Sequence, residues 1–172
     1  MVYNTTGYNF TFKYPNADDG EIVSEDVNYS YIISFFYSLE EVMTNIAEAS
    51  EGVSTKVDYV SFAKWYLIHE LIQNWEPNRF YVLPSKTCKL KMYPAWDAEW
   101  SMGLAKKGNP DNPWGWYFPP VEPDFDVCSV TDRYYFQWLF KDPAFVETLK
   151  NECMSLKPQL SEVILNINKK LF

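Results

Sequence analysis

DYVSFAKWYLIHELIQNWEPNRFYVLPSKTCKLKMYPAWDAEWSMG, residues 58–103, is the stretch whose reading decides the fold. Its first half sets Phe62, Trp65, Tyr66, Leu67, Ile68, Leu71 and Ile72 around most of a helix circumference, the pattern of a helix central to its domain. That helix is expected to begin near Asp58 and to run into Glu70, Asn74, Glu76 and Asn78, with Glu70 and Asn74 one turn apart on a shared face. Residues 79–83 and 86–93 then read as two short strands joined around Pro84-Ser85, from their length and β-propensity. Tyr93-Pro94 closes the hairpin, and an acidic turn follows at Asp97 and Glu99. The hairpin therefore carries the second polar cluster back toward the first.

Upstream, residues 8–14 alternate aromatic with polar side chains and end at Pro15, which predicts a strand or edge segment. Ser24, followed by Glu25 and Asp26, predicts the N-cap and first turn of a helix lasting to Ala49. Its apolar stripe is Ile32, Phe35, Phe36, Leu39, Val42, Met43 and Ile46, and Gly52 is expected to close it. Downstream, residues 105–126 are irregular and hold five of the 11 prolines together with Trp114, Trp116, Tyr117 and Phe118. A loop of that length is either functional or packed over the core. Residues 132–140 predict a short aromatic helix, and Asp142 caps the next one with Pro143 at its first position. Lys157-Pro158 is expected to break that helix, leaving Leu160, Val163, Ile164, Ile167 and Leu171 as the apolar face of a last one.

Composition bounds the function classes. With 172 residues, 47% hydrophobic and 19% aromatic, the chain is long enough for one well-packed core, so one domain over residues 1–172 is expected. A formal net charge of -8 argues against a nucleic-acid or anionic-membrane partner, which needs clustered Lys and Arg. Lys86, Lys89 and Lys91 read as the solvated face of one strand. No apolar run is long enough for a transmembrane helix, and the first residues lack the basic end and apolar core of a signal peptide. The expectation is a cytosolic chain or one lacking its export signal. Cys88, Cys128 and Cys153 have no CxxC spacing, so neither a disulfide framework nor a zinc site is implied, although one pair can still form. The lone His69 sits in an apolar helical pattern and reads as a packed or half-exposed side chain rather than a ligand.

Four segments carry a family resemblance: FTFKYP (10–15), VDYVSFAKWYLIHELIQN (57–74), KLKMYPAWDAEWSMG (89–103) and WLFKDPAFVETLK (138–150). In that order they resemble the successive blocks of the CotH family, the spore-coat-protein-H-like atypical protein kinases. The resemblance spans nearly the whole chain from about Phe10. It implies an α+β, mainly α fold: a kinase-like C-terminal lobe with a small β-hairpin. ATP and Mg2+ are the implied cofactors, and phosphoryl transfer to a protein, in some members a surface or spore-coat protein, is the implied activity.

Kinases present a helix, a loop with Asn and an acid, and then a turn bearing a metal-binding Asp. By resemblance, Asp97 matches the first Asp of the family's Trp-Asp-x-Asp block and is the expected metal ligand, with Glu99 as its partner where Asp is common. Asn74 matches a family Asn, Glu76 is the candidate proton acceptor, and Asn78 is a candidate metal-ligating amide of the nucleotide site. Read without the family, WDAEW is an aromatic-flanked turn with solvated acids, and Asn74 and Asn78 cap a helix end and shape a turn.

The six glycines are scattered, with no G-x-G-x-x-G and no G-x-x-x-x-G-K-S/T run to cradle phosphates. The resemblance thus implies the C-terminal part of a larger protein whose N-terminal lobe covers ATP, with little activity in this chain alone. Two other classes stay open. One is a non-catalytic kinase-like scaffold; the other is a surface glycan-binding module using Trp114, Trp116, Tyr117 and Phe118, aromatics that equally suit plugs of the core.

Overall fold

Asp58 starts the central helix. Its carboxylate accepts the Ser61 N–H at 3.0 Å, and the Ser61 hydroxyl donates back to the Asp58 carbonyl at 2.9 Å, which satisfies donors that a helix start leaves bare. The structure, a computed structural model, describes residues 2–4, 9–11, 27–45, 52–74, 81–82, 88–92, 95, 98–99, 101–102 and 134–171. Along these run β1 (Val2–Asn4), β2 (Asn9–Thr11), α1 (Val27–Thr44), a 3-10 turn (Val53–Thr55) and α2 (Tyr59–Ile72), then β3 (Tyr81–Val82), β4 (Lys91–Met92), α3 (Tyr134–Leu139) and α4 (Pro143–Leu171). The class is α+β, mainly α.

Both described sheets are antiparallel pairs, β1 with β2 and β3 with β4. In the second, Tyr81 faces Met92 and Val82 faces Lys91, a register centred between residues 86 and 87 rather than at Pro84-Ser85. Pairing also continues beyond the hairpin. Leu90 donates to the Lys56 carbonyl at 2.8 Å and accepts from Asp58 N at 2.9 Å, forming a parallel bridge with Val57. Met92 N donates to the Ser61 hydroxyl at 3.2 Å, and Lys91 Nζ lies 3.6 Å from the Asp58 carboxylate. The hairpin is thereby pinned to the first turn of α2.

Packing follows the apolar stripes. From α1, Phe36, Leu39 and Met43 are buried; α2 buries Phe62, Ala63, Trp65, Tyr66 and Leu67; α3 and α4 add Tyr135, Phe136, Leu139 and Phe145. Phe136 is the hub, its ring 5.3 Å from Tyr66, 5.6 Å from Trp65 and 5.9 Å from Phe62. Two members of the expected α2 stripe, Ile68 and Leu71, are exposed, so the helix keeps one face in water. Glu40 is buried on α1 and takes a 3.4 Å hydrogen bond from the Tyr135 hydroxyl, joining α1 to α3.

Asp142 does cap α4: its Oδ1 accepts Ala144 N at 2.8 Å. The other carboxylate oxygen accepts the Tyr59 hydroxyl, which joins the starts of α2 and α4. Burial first, and then the Asp142 carboxylate, push the Tyr59 pKa well above that of a free tyrosine, so the hydroxyl stays a donor. Asp142→Ala removes cap and partner together and is expected to lower stability by about 2 kcal/mol. Asp142→Asn, which keeps an acceptor for Ala144, is expected to lose less than half of that, as read from urea midpoints.

Three expectations are corrected. Pro158 does not break the last helix: α4 runs unbroken for 29 residues, and Met154, whose carbonyl loses its partner at Pro158, is on the exposed side where water can replace it. Gly52 does not end α1; it precedes the 3-10 turn with ordinary extended backbone (φ -65, ψ 149). Asn74 lies outside α2 rather than on its surface, for a reason given below. Ser24, Ile46 to Ala49 and residues 105–126 lie outside the described residues. Cys88 and Cys153 are exposed and not in disulfides; Cys128 lies outside. No described helix is long and apolar enough to cross a membrane.

Candidate functional site at the C-terminal end of the central helix

Gln73 ends α2 by turning into the left-handed region (φ 49, ψ 51), with its N–H donating to the Glu70 and His69 carbonyls. Without Gly or Asn at this position the stop has no ordinary sequence signal. The turn carries Asn74 back over the helix end, where Asn74 N donates to the His69 carbonyl at 3.1 Å. Asn74 is therefore fully buried, and it does not share a face with Glu70. Its carboxamide Nδ2 sits 3.2 Å from His69 Nδ1.

His69 is itself fully buried, one helical turn from Trp65, with the two ring centroids 4.3 Å apart. Burial pushes its pKa down to about 4, so the ring is neutral at physiological pH. Its Nε2 and the Trp65 Nε1 have no hydrogen-bond partner among the described residues.

The segment after the acidic turn is tied to the same helix end. Met102 N donates to the Ile72 carbonyl at 2.7 Å, with Met102 also left-handed (φ 54). One position earlier, Ser101 is buried and its hydroxyl donates to the Ala98 carbonyl at 2.6 Å, closing the turn that bears Glu99. Two non-glycine residues in left-handed backbone thus flank one hydrogen bond, a local strain of a kind that clusters at functional sites. Glu99 itself is exposed.

Of the residues expected to form the site, Asn74 and Glu99 are thus carried on segments anchored at one helix end. Glu76, Asn78 and Asp97 lie outside the described residues, as do Trp114, Trp116, Tyr117 and Phe118. Among the described residues no three His, Cys, Asp or Glu side chains gather as metal ligands. A solvated carboxylate on a turn is nevertheless the kind of oxygen donor that Mg2+ takes along with water.

Ser101 and His69 take part in this arrangement without having been singled out for it. For Ser101 the signal was its place three residues after Ala98, the spacing of a hydroxyl that closes a turn. For His69 there was none, because its partner arrives only through the reversal at Gln73.

A family model described as CotH kinase protein matches residues 3–166 of the chain. Neither a curated protein nor a solved structure matches it.

Proposed function

The chain belongs to the CotH kinase family, and on that premise we propose that it carries the metal-side and acceptor-side groups of a site transferring phosphoryl from ATP to a protein. Such transfer asks for carboxylates to hold divalent metal, and for an acceptor for the proton of the attacking hydroxyl. Asp97 would hold Mg2+ with Glu99 as its partner, and Asn78 would add an amide oxygen on the nucleotide side. Glu76 would take the hydroxyl proton, with Asn74 fixing the loop that carries it. Bound metal supplies positive charge against the phosphate oxygens. The observation that carries this reading is the 2.7 Å hydrogen bond from Met102 N to the Ile72 carbonyl, which ties the chain just after Glu99 to the helix end that leads into Asn74.

We further propose that residues 1–172 work as one unit with a nucleotide-covering segment from elsewhere, since six scattered glycines supply no phosphate loop. Isothermal titration of the chain with Mg-ATP is expected to give no binding as tight as micromolar; micromolar affinity would overturn this dependence. Mn2+, added as a paramagnetic stand-in for Mg2+, is expected to broaden the amide signals of Ala98 and Glu99, and Asp97→Asn to abolish the broadening. Signals unmoved by Mn2+ would sink the metal role and leave a non-catalytic kinase-like scaffold.

A further inference from the structure

Two buried N–H-bearing rings, Trp65 and His69, meet at the last turns of α2, and each has a ring nitrogen with no partner among the described residues. In a buried setting an imidazole packs less well than a hydrocarbon of its size, because its unpaired nitrogen has been taken from water for nothing. Among the described residues, the side-chain hydrogen bond to the ring is at Nδ1, with the Asn74 carboxamide. Whatever makes an imidazole worth burying here is thus concentrated in Asn74.

The chemistry of that contact couples the two partners. With Nδ2 toward the ring, Nδ1 is the bare, accepting nitrogen and Nε2 carries the proton; only a joint reversal, Nδ1–H donating to Oδ1, would serve as well. The carboxamide is then oriented too, with Nδ2 toward the imidazole and Oδ1 on its other edge. Reversing either the tautomer or the amide alone would set donor against donor or acceptor against acceptor. Backbone geometry holds the two at this distance independently, through the Asn74 N to His69 carbonyl bond and the left-handed Gln73.

We propose that His69 is a positioning residue, the neutral Nε2–H tautomer accepting the Asn74 carboxamide and setting which end of it faces the site. The proposal rests on the phosphoryl-transfer reading only for what Asn74 is positioned to do. With its nitrogen held by the ring, Asn74 has its oxygen left to accept from a hydroxyl or an N–H; a flipped one would offer a donor instead, as an ionised carboxylate requires.

The test is spectroscopic and needs neither metal nor nucleotide. Long-range 1H–15N correlation on the intact chain at neutral pH is expected to show His69 Nδ1 as a bare, pyridine-like nitrogen and Nε2 as protonated. The two Asn74 side-chain amide protons should be protected from exchange, exposed to fast exchange in His69→Leu, and protected again in His69→Gln, whose carboxamide oxygen can accept in place of Nδ1. An Nδ1-protonated ring in the unmodified chain, or Asn74 protons that do not respond to His69→Leu, would overturn the proposal. Should His69→Leu fail to fold, the tautomer in the unmodified chain still decides. Loss of the Mn2+ effect with the tautomer as described would remove the phosphoryl-transfer reading while His69 still sets Asn74.

Discussion

Phe145→Ala is expected to lower the unfolding free energy by about 3–5 kcal/mol, the range for emptying a buried phenylalanine site. Phe145 is fully buried at the start of α4, with its ring 5.4 Å from Tyr59 in an edge-on pair, 5.9 Å from Phe140 and 6.2 Å from Phe136. Truncation removes the apolar area and every one of these ring contacts, and the surrounding rigid rings collapse poorly into the gap. A loss of that size is a large part of the roughly 5–15 kcal/mol that ordinary domains possess. The urea midpoint should fall steeply while its slope stays constant. Val60→Ala, on the exposed side of α2, should move the midpoint hardly at all. Equal effects at the two positions would mean that α4 is not docked on α2 as described.

Acid is expected to weaken the fold through His69 before the carboxylates take over. The folded pKa of about 4 lies below the unfolded value of 6.5, so the unfolded chain binds the extra proton between those limits. Stability is therefore complete above about pH 6.5, falls as the pH drops toward 4, and loses nothing more from this group below that. The gap corresponds to about 3 kcal/mol. Because the chain has a single histidine, the upper part of this window reports on His69 with little competition. Unfolding at pH 5.5 should take up a proton in the unmodified chain and not in His69→Gln. A stability profile that stays flat from pH 7 to 5 would mean that the ring reaches water.

How legible all this was in the sequence depended on range. Helical stripes were legible because their cause is local: Phe36, Leu39 and Met43 face inward at the spacing that periodicity gives, and Asp142-Pro143 is a start signal whose atoms lie within three residues. Pro158 misled for the opposite reason. Proline's penalty is local, yet whether a helix survives it depends on whether water can reach the orphaned carbonyl, here that of the exposed Met154. At the site, the antiparallel hairpin after the central helix was legible, while Glu76, Asn78 and Asp97 lie outside the described residues. Asn74 was read as helical although it lies two residues past the last helical residue, Ile72, since Gln73 gives no hint of a left-handed stop. His69's contact with Asn74 followed that error into obscurity.

The bond between Met102 and Ile72 also sets how freely this part of the chain can change length. Met92 is held at Ser61 and Met102 at Ile72, anchors about 16 Å apart along the helix axis. The chain between them could reach about 33 Å if drawn straight. Roughly half its contour is thus surplus, available for a turn that stands off the helix. Insertions would lengthen that excursion at small entropic penalty, and short deletions would only take up slack. Changes of length should accordingly be tolerated where they leave the two anchors in register with the helix and the spacing of Asp97 and Glu99 intact.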